Sequence, residues 1–217
     1  MIKRTTLTEK AYNILKQMIL EGDLKPGEPL VQEQLSAKLG ISRTPLLHAL
    51  KILESENLIV RANNQRVFVR QFAPEEVLVL FEMREALEGL AAKYITPLVN
   101  EEEISTFEES FTKAYLEKNI ESYRKADVSF HLFVAEKCPY LDLKSALIRS
   151  GFLAKCLIKG LIRPPEETHQ EHMEILRCFR NRDPEGAERA MRLHIQKTIS
   201  CLKNYAGQLP AKGEHAK

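Results

Sequence analysis

Between Leu35 and Val60 the chain reads LSAKLGISRTPLLHALKILESENLIV, and this stretch constrains the fold more than any other. A short helix ends at Gly40, and a turn follows through Ile41 and Ser42. Ser42 stands where an N-cap belongs, with a hydroxyl able to accept from a first-turn amide. Pro45 lies early enough in the second helix for its missing N–H to cost nothing. Leu46, Leu50 and Leu53 recur at helical spacing and give that helix a buried face. Ser36, four residues before Gly40, is small enough for the two helices to approach closely. The pattern is a helix-turn-helix, whose second helix offers its N-terminal end to a DNA major groove. A generic helical hairpin shares the apolar spacing, so the next segment decides between them.

Leu58-Ile59-Val60 and Val67-Phe68-Val69 are short β-rich runs separated by the turn signal Asn63-Asn64. Two helices followed by such a hairpin make a winged helix. Arg61, Arg66 and Arg70 place cationic groups on the hairpin, where a phosphate backbone can be met.

The run L-S-A-K-L-G-I-S-R-T-P, followed by A-L-x-x-L-E-S-E-N-L-I, resembles the N-terminal domain of GntR-type bacterial transcription regulators. The resemblance implies DNA contacts by Arg43 and Thr44, next to Ser42. Two departures bear on the operator. The family usually has V-R-E-A-L where this chain has Leu46-Leu47-His48-Ala49-Leu50, so Leu47 replaces a DNA-contacting arginine. Arg66 stands where the family's wing-tip glycine is expected.

The chain has 217 residues, with 44% hydrophobic and 29% charged residues, as expected of a packed globular protein. Its apolar runs are too short for a transmembrane helix, and Met1-Ile2-Lys3-Arg4-Thr5 lacks the apolar core of a signal peptide. A cytoplasmic location with no membrane partner is the expectation. Cys138, Cys156, Cys178 and Cys201 are widely spaced with no CxxC, and read as reduced, mostly buried residues. Residues 1–70 carry four more basic than acidic residues, and the remainder two more acidic than basic. The sign of that asymmetry agrees with DNA contact by the first part, with Lys3 and Arg4 adding non-specific attraction.

In chain order, Thr8 to Glu21 is an amphipathic helix with Ala11, Ile14, Leu15, Met18 and Ile19 as its apolar stripe, ended by Gly22. A loop with Pro26 and Pro29 leads to helices at about 31–39 and 43–56, then the wing. The expected domains are a winged helix over 1–70, a linker over 71–74, an all-helical domain over 75–206 and a disordered tail over 207–217. Helices are expected at about 74–95, 100–118, 120–137, 141–161, 165–181 and 184–205, with breaks at Pro97, Asn119, Pro139, Pro164-Pro165 and Pro184. The fold class is therefore mainly α: a winged helix-turn-helix followed by a bundle of about six helices. F-E-M-R-E-A-L-E at Phe81 to Glu88 and D-x-x-x-H at Asp127 to His131 resemble the FCD ligand-sensing domain of the FadR-like GntR branch.

Asp127 and His131, four apart, share a helix face that continues through Val134 and Cys138. His172 shares a stripe with Ile175, Leu176 and Phe179. His194 shares one with Ala187, Met191 and Thr198. Three inward histidines and an inward carboxylate are a donor set for Zn²⁺, Ni²⁺ or similar ions. Periodicity does not bring separate helices to one point, so satisfied core histidines fit the spacing equally well. His169 is a rival to His172, read as the more solvated of the two. The FCD resemblance implies a metal site made of Asp127, His131, His172 in E-H-x-x-I-L and His194 in M-R-x-H. Zinc, nickel and manganese all suit the set. The resemblance also implies a small organic acid beside the metal, for which Arg84 is a candidate anchor.

The leading reading is a non-enzymatic, homodimeric transcription regulator, a repressor by the family's habit. It would bind a near-palindromic operator through Ser42, Arg43, Thr44, Arg66, Lys3 and Arg4, under control of a carboxylate effector and a divalent metal. The alternatives are a metallohydrolase using the Asp/His set and a helical dimer that binds no DNA. The first lacks a placed general base, Glu171 and Glu174 being read as facing elsewhere, and lacks a nucleophile motif. The second has Leu47 as its best argument.

Overall fold

A computed structural model describes residues 6–157 and 161–206. Lys3, Arg4 and the expected tail over 207–217 lie outside the described residues. Backbone contacts divide the chain at Ala73–Pro74 into two units.

The first unit holds α1 (Leu7–Glu21), α2 (Gln32–Leu39), α3 (Arg43–Ser55), β1 (Ile59–Arg61) and β2 (Val67–Val69). α1 starts one residue before the expected Thr8. Thr6 and Glu9 form a reciprocal capping box that satisfies two of the helix's free amides. Of its expected stripe, Ala11, Leu15, Met18 and Ile19 are buried, but Ile14 is 46% exposed. Position 14 stands on the edge of the stripe, one residue before the fully buried Leu15. Gly40 ends α2 with φ 63° in open space, so glycine is required by the backbone there and not by crowding. α1 and α3 pack on each other, and Leu15, Leu46, Leu50 and Leu53 are fully enclosed.

β1 and β2 are antiparallel, pairing Ile59 with Val69, Val60 with Phe68 and Arg61 with Val67. Leu58 is buried but precedes the ladder; its carbonyl accepts from Arg70 N. The two-proline loop does more than connect. Gly27 N donates to Val69 O, Val69 N to Glu28 O and Leu30 N to Val67 O, so residues 27–30 cover the free edge of β2. Covering that edge removes a surface to which another strand could add.

The second unit holds α4 (Pro74–Ile95), α5 (Glu101–Leu116), α6 (Ile120–Lys137), α7 (Leu141–Leu157), α8 (Pro165–Arg180) and α9 (Pro184–Ala206). Six helices therefore follow the wing among the described residues, at nearly the expected bounds. Asn100 and Glu103 make a second capping box at α5, and Asn119 caps α6 through Ser122 N. α4 packs along α9, α8 along α9, and α5 against both α6 and α8. Phe111, Tyr123, Phe130 and Phe179 fill the centre, with ring centroids 5.3–6.4 Å apart. Cys138 and Cys178 are buried free thiols and Cys201 is a partly exposed one. No described helix is long and apolar enough to cross a membrane.

Candidate metal centre and nucleic-acid interface

Among these aromatic residues lie polar groups that burial penalises unless each finds a partner. Asp127 and His131 come from α6, His172 from α8 and His194 from α9, and one ligand atom from each falls within 4.8 Å of all the others. The structure thus brings together the four residues expected from the sequence. His172 Nε2 is 3.3 Å from Asp127 Oδ1, and His131 Nε2 is 3.8 Å from the same oxygen. The His131 and His194 rings stack with centroids 5.4 Å apart, and those of His172 and His194 are 4.6 Å apart. His172 also stacks on Phe111 at 4.2 Å.

Each imidazole is held from behind by its other nitrogen. His131 Nδ1 bonds to Glu88 of α4, and His194 Nδ1 donates to Glu171 of α8 at 2.8 Å. Tyr123 Oη lies 3.1 Å from His172 Nδ1, and Thr168 Oγ1 lies 3.1 Å from Tyr123 Oη. An ionised carboxylate only accepts, so His131 and His194 carry a proton on Nδ1 toward Glu88 and Glu171, which leaves Nε2 as the nitrogen turned into the cluster. Outer partners of this kind fix ring orientation and tautomer at metal sites.

The electrostatics point the same way. Burial pushes the Glu88 carboxyl up, but Arg84 and His131 beside it outweigh that and hold it at about 2. Burial likewise raises Asp127, but His172 3.3 Å away, with His131 and His194 close by, outweighs it and leaves Asp127 well below the carboxylate range. Glu171 is held low against burial by Arg163, His194 and Lys197. Burial lowers His172, and lowers His194 to about 4. The cluster thus sets an ionised carboxylate beside His172 and His194, two imidazoles that burial drives toward the neutral form, the form in which an imidazole donates to a cation. His172 Nε2 is completely buried and makes no well-formed hydrogen bond, Asp127 Oδ1 standing 3.3 Å away, and a nitrogen so placed fits a cation ligand.

Two readings need correction. His169 is not solvated: it is 8% exposed and stacked 4.4 Å from the Tyr115 ring, because α5 covers the side of α8 next to His172. Glu171 does not face elsewhere: it joins His194, Arg163 and Lys197. Adjacent helical residues diverge, but a glutamate side chain is long enough to reach the neighbouring α9 while His172 points into α6. Glu174, by contrast, pairs on the exposed face with Arg177. Glu88, Tyr123, Glu171 and Arg163 are site residues that sequence reasoning missed. The one available signal was Glu88 standing four residues after Arg84. Arg84 Nε donates to Glu88 Oε1 at 2.6 Å, so its first task is to hold the carboxylate that holds His131.

In the first unit, Ser42, Arg43 and Thr44 are exposed together at the start of α3. Ser42 has extended cap geometry but its hydroxyl makes no cap bond. Pro45 occupies the third helical position and has no N–H, which removes one of the two amides a cap side chain normally bonds. Arg43 reaches back to Gln32 Oε1 at 3.3 Å. On the wing, Ala62 to Gln65 closes a turn, and the left-handed residue is Gln65 (φ 65°), not Arg66. Arg66 is exposed, its amide donating to Asn64 Oδ1 at 3.1 Å. Arg61 is tied to Glu54 at 3.0 Å.

A winged helix with an exposed recognition-helix tip, followed by an all-helical domain, defines the class of DNA-binding proteins with a winged helix-turn-helix head. Comparison with known families agrees: residues 7–69 match bacterial regulatory proteins of the gntR family, and residues 79–197 match the FCD domain. The chain belongs to the gntR-family transcription regulators that carry an FCD domain, a family of DNA-binding proteins and not of enzymes. It is 25% identical over 200 residues to the uncharacterized HTH-type transcriptional regulator YdhC of Bacillus subtilis, covering 89% of each chain. It is 24% identical over 208 residues to the HTH-type transcriptional repressor RspR of Escherichia coli, covering 91% of this chain and 89% of that one. The solved structure of E. coli McbR/YncC superposes with a TM-score of 0.70 at 22% identity, covering 94% of this chain and all of that one, a likeness of fold.

Proposed function

We propose that this protein is a homodimeric transcriptional repressor whose hold on a near-palindromic operator is set by a small carboxylate effector bound beside a divalent metal ion. The observation that carries the metal is the convergence of Asp127 with three imidazoles, of which His172 leaves a fully buried nitrogen without a hydrogen bond. Asp127, His131, His172 and His194 would hold the ion, with zinc, nickel and manganese all suited to the donors. When bound, it supplies a positive charge with open positions to which a carboxylate can coordinate. Arg84 is the proposed second anchor: its side chain is 11% exposed, and among the described residues its Nη atoms make no bond.

On the DNA side, Arg43 and Thr44 read bases or phosphates, Ser42 and Arg66 meet the backbone, and Lys3 and Arg4 add charge. The repressor assignment follows the printed function of relatives such as RspR. Two copies place two recognition helices on the two halves of a symmetric site.

The test couples elemental analysis with a mobility shift. Protein purified without chelator should carry close to one divalent ion per chain, and should retard DNA from its own promoter region at low salt, more weakly as salt rises. Absence of metal together with failure to bind added zinc, nickel or manganese would sink the sensor half. Absence of any shift on flanking DNA would sink the operator half.

A further inference from the structure

The outward face of α3 carries Thr44, Leu47, His48 and Lys51, spaced three, four and seven residues apart and opposite to buried Leu46, Ala49, Leu50 and Leu53. With Glu54, Arg61 and Gln65 they line one groove of about 400 Å³ between recognition helix and wing. The groove has a definite chemical order. At its far end Glu54 neutralises Arg61, which is thereby withdrawn from phosphate contact. Along its middle, His48 and Lys51 are exposed and make no hydrogen bond or ion pair among the described residues. Nearest the helix tip, one turn after exposed Thr44, the half-buried Leu47 makes an apolar step.

A major groove about 12 Å wide admits one α-helix, so this stripe is what a base edge would meet. A leucine there offers no donor. Set against guanine, it would desolvate the N7 and O6 acceptors without replacing their hydrogen bonds. Set against thymine, it meets the largest apolar group on any major-groove base edge, the 5-methyl. We propose that Leu47 is a specificity determinant that selects thymine, through its 5-methyl group, at one position of each operator half-site, with His48 and Lys51 donating to the adjoining base edges. The proposal rests on the operator-binding reading above, and its test separates the two.

Full-length protein is used to enrich binding duplexes from a random-sequence library at low salt, and each thymine of the consensus is then replaced by deoxyuridine, which lacks only the methyl. Wild-type protein should lose about fourfold in affinity at one thymine per half-site, and about fifteenfold with both replaced, the scale of one buried methyl each. Leu47→Ala, with folding checked by circular dichroism, should bind thymine and deoxyuridine alike at that position. Leu47→Arg should shift enrichment there toward guanine. Failure to enrich any sequence would overturn operator binding itself. An enriched consensus indifferent to deoxyuridine throughout, or one whose sensitivity survives in Leu47→Ala, would leave DNA binding intact and overturn the role of Leu47.

Discussion

Glu171 Oε2 accepts from His194 Nδ1 at 2.8 Å, while its other oxygen is held by Arg163 at 2.7 Å and Lys197 at 2.8 Å. One carboxylate thus ties α9 to α8 and to the segment before α8, and it orients the imidazole that closes the cluster. Glu171→Gln keeps the shape but loses the charge that fixes the Nδ1 proton. Metal affinity should fall roughly 10–100-fold, as for other outer-partner losses, read by competition with a chromophoric chelator. Glu174→Gln, one turn away on the exposed face, should bind metal as wild type does. Equal behaviour of the two variants would remove Glu171 from the site.

Metal should stabilise the fold as well as arm the sensor. A ligand held a hundredfold above its dissociation constant adds about 2.7 kcal/mol. In a chain of this size that is roughly 5–10 °C in Tm. Saturating zinc or nickel should raise the Tm of chelator-stripped protein by that amount, and His172→Ala should abolish the response. A metal-induced rise that persists in His172→Ala would place the ion elsewhere.

The metal-free protein should be acid-sensitive, with a sign set by burial. His194 is lowered from the ordinary 6.5 to about 4. Below pH 6.5 the unfolded chain therefore takes up a proton that the folded chain refuses, and unfolding gains. Its contribution is intact above pH 6.5 and is lost as pH falls toward about 4. Glu88, lowered from 4.5 to about 2, adds loss of the same sign once the pH falls below about 4.5. Thermal melts of stripped protein should show Tm falling from pH 6.5 to 4, with a shallower slope in His194→Gln. A flat or rising profile would contradict the burial argument.

Gly89 lies under Arg192, and a Cβ there would sit 2.5 Å from Arg192 Cγ. Arg192 is not free to yield, being paired with both Glu85 and Glu188 at 3.1 Å. Alanine would gain up to about 1 kcal/mol of helix propensity, but overpacking costs about 1–3 kcal/mol. Gly89→Ala should come out about 1 kcal/mol less stable, a few degrees in Tm. A raised Tm would show that the α4–α9 contact relaxes more readily than its ion pairs suggest.

At the DNA end, Arg43→Ala should weaken operator binding by about 1–3 kcal/mol. If Arg43 meets phosphate, the salt slope drops by about one and all sequences weaken alike; if it meets a base, specificity relaxes at one position. Affinity and salt slope both unchanged would take Arg43 out of the interface.

The elements were legible in the sequence because each rests on local physics. Leucines three and four apart bury one face of α3, glycine takes the left-handed backbone at the end of α2, and prolines stand where α8 and α9 begin. The inward placement of Asp127, His131, His172 and His194 was legible too, since a side chain's face follows from its position on its own helix. What α6, α8 and α9 do with those faces was not, because helix packing brings together residues far apart in the chain. Glu88 reaches His131 across 43 positions and Tyr123 reaches His172 across 49. No periodicity encodes such distances. For the same reason His169 reads from its own helix as the more solvated of two neighbours, although packing buries it against Tyr115 of α5. Sequence alone determined the helices, the wing and the inward direction of four donors; only tertiary packing decided that the donors meet, which groups stand behind them, and which carboxylate, Glu171, leaves its own helix face to join them.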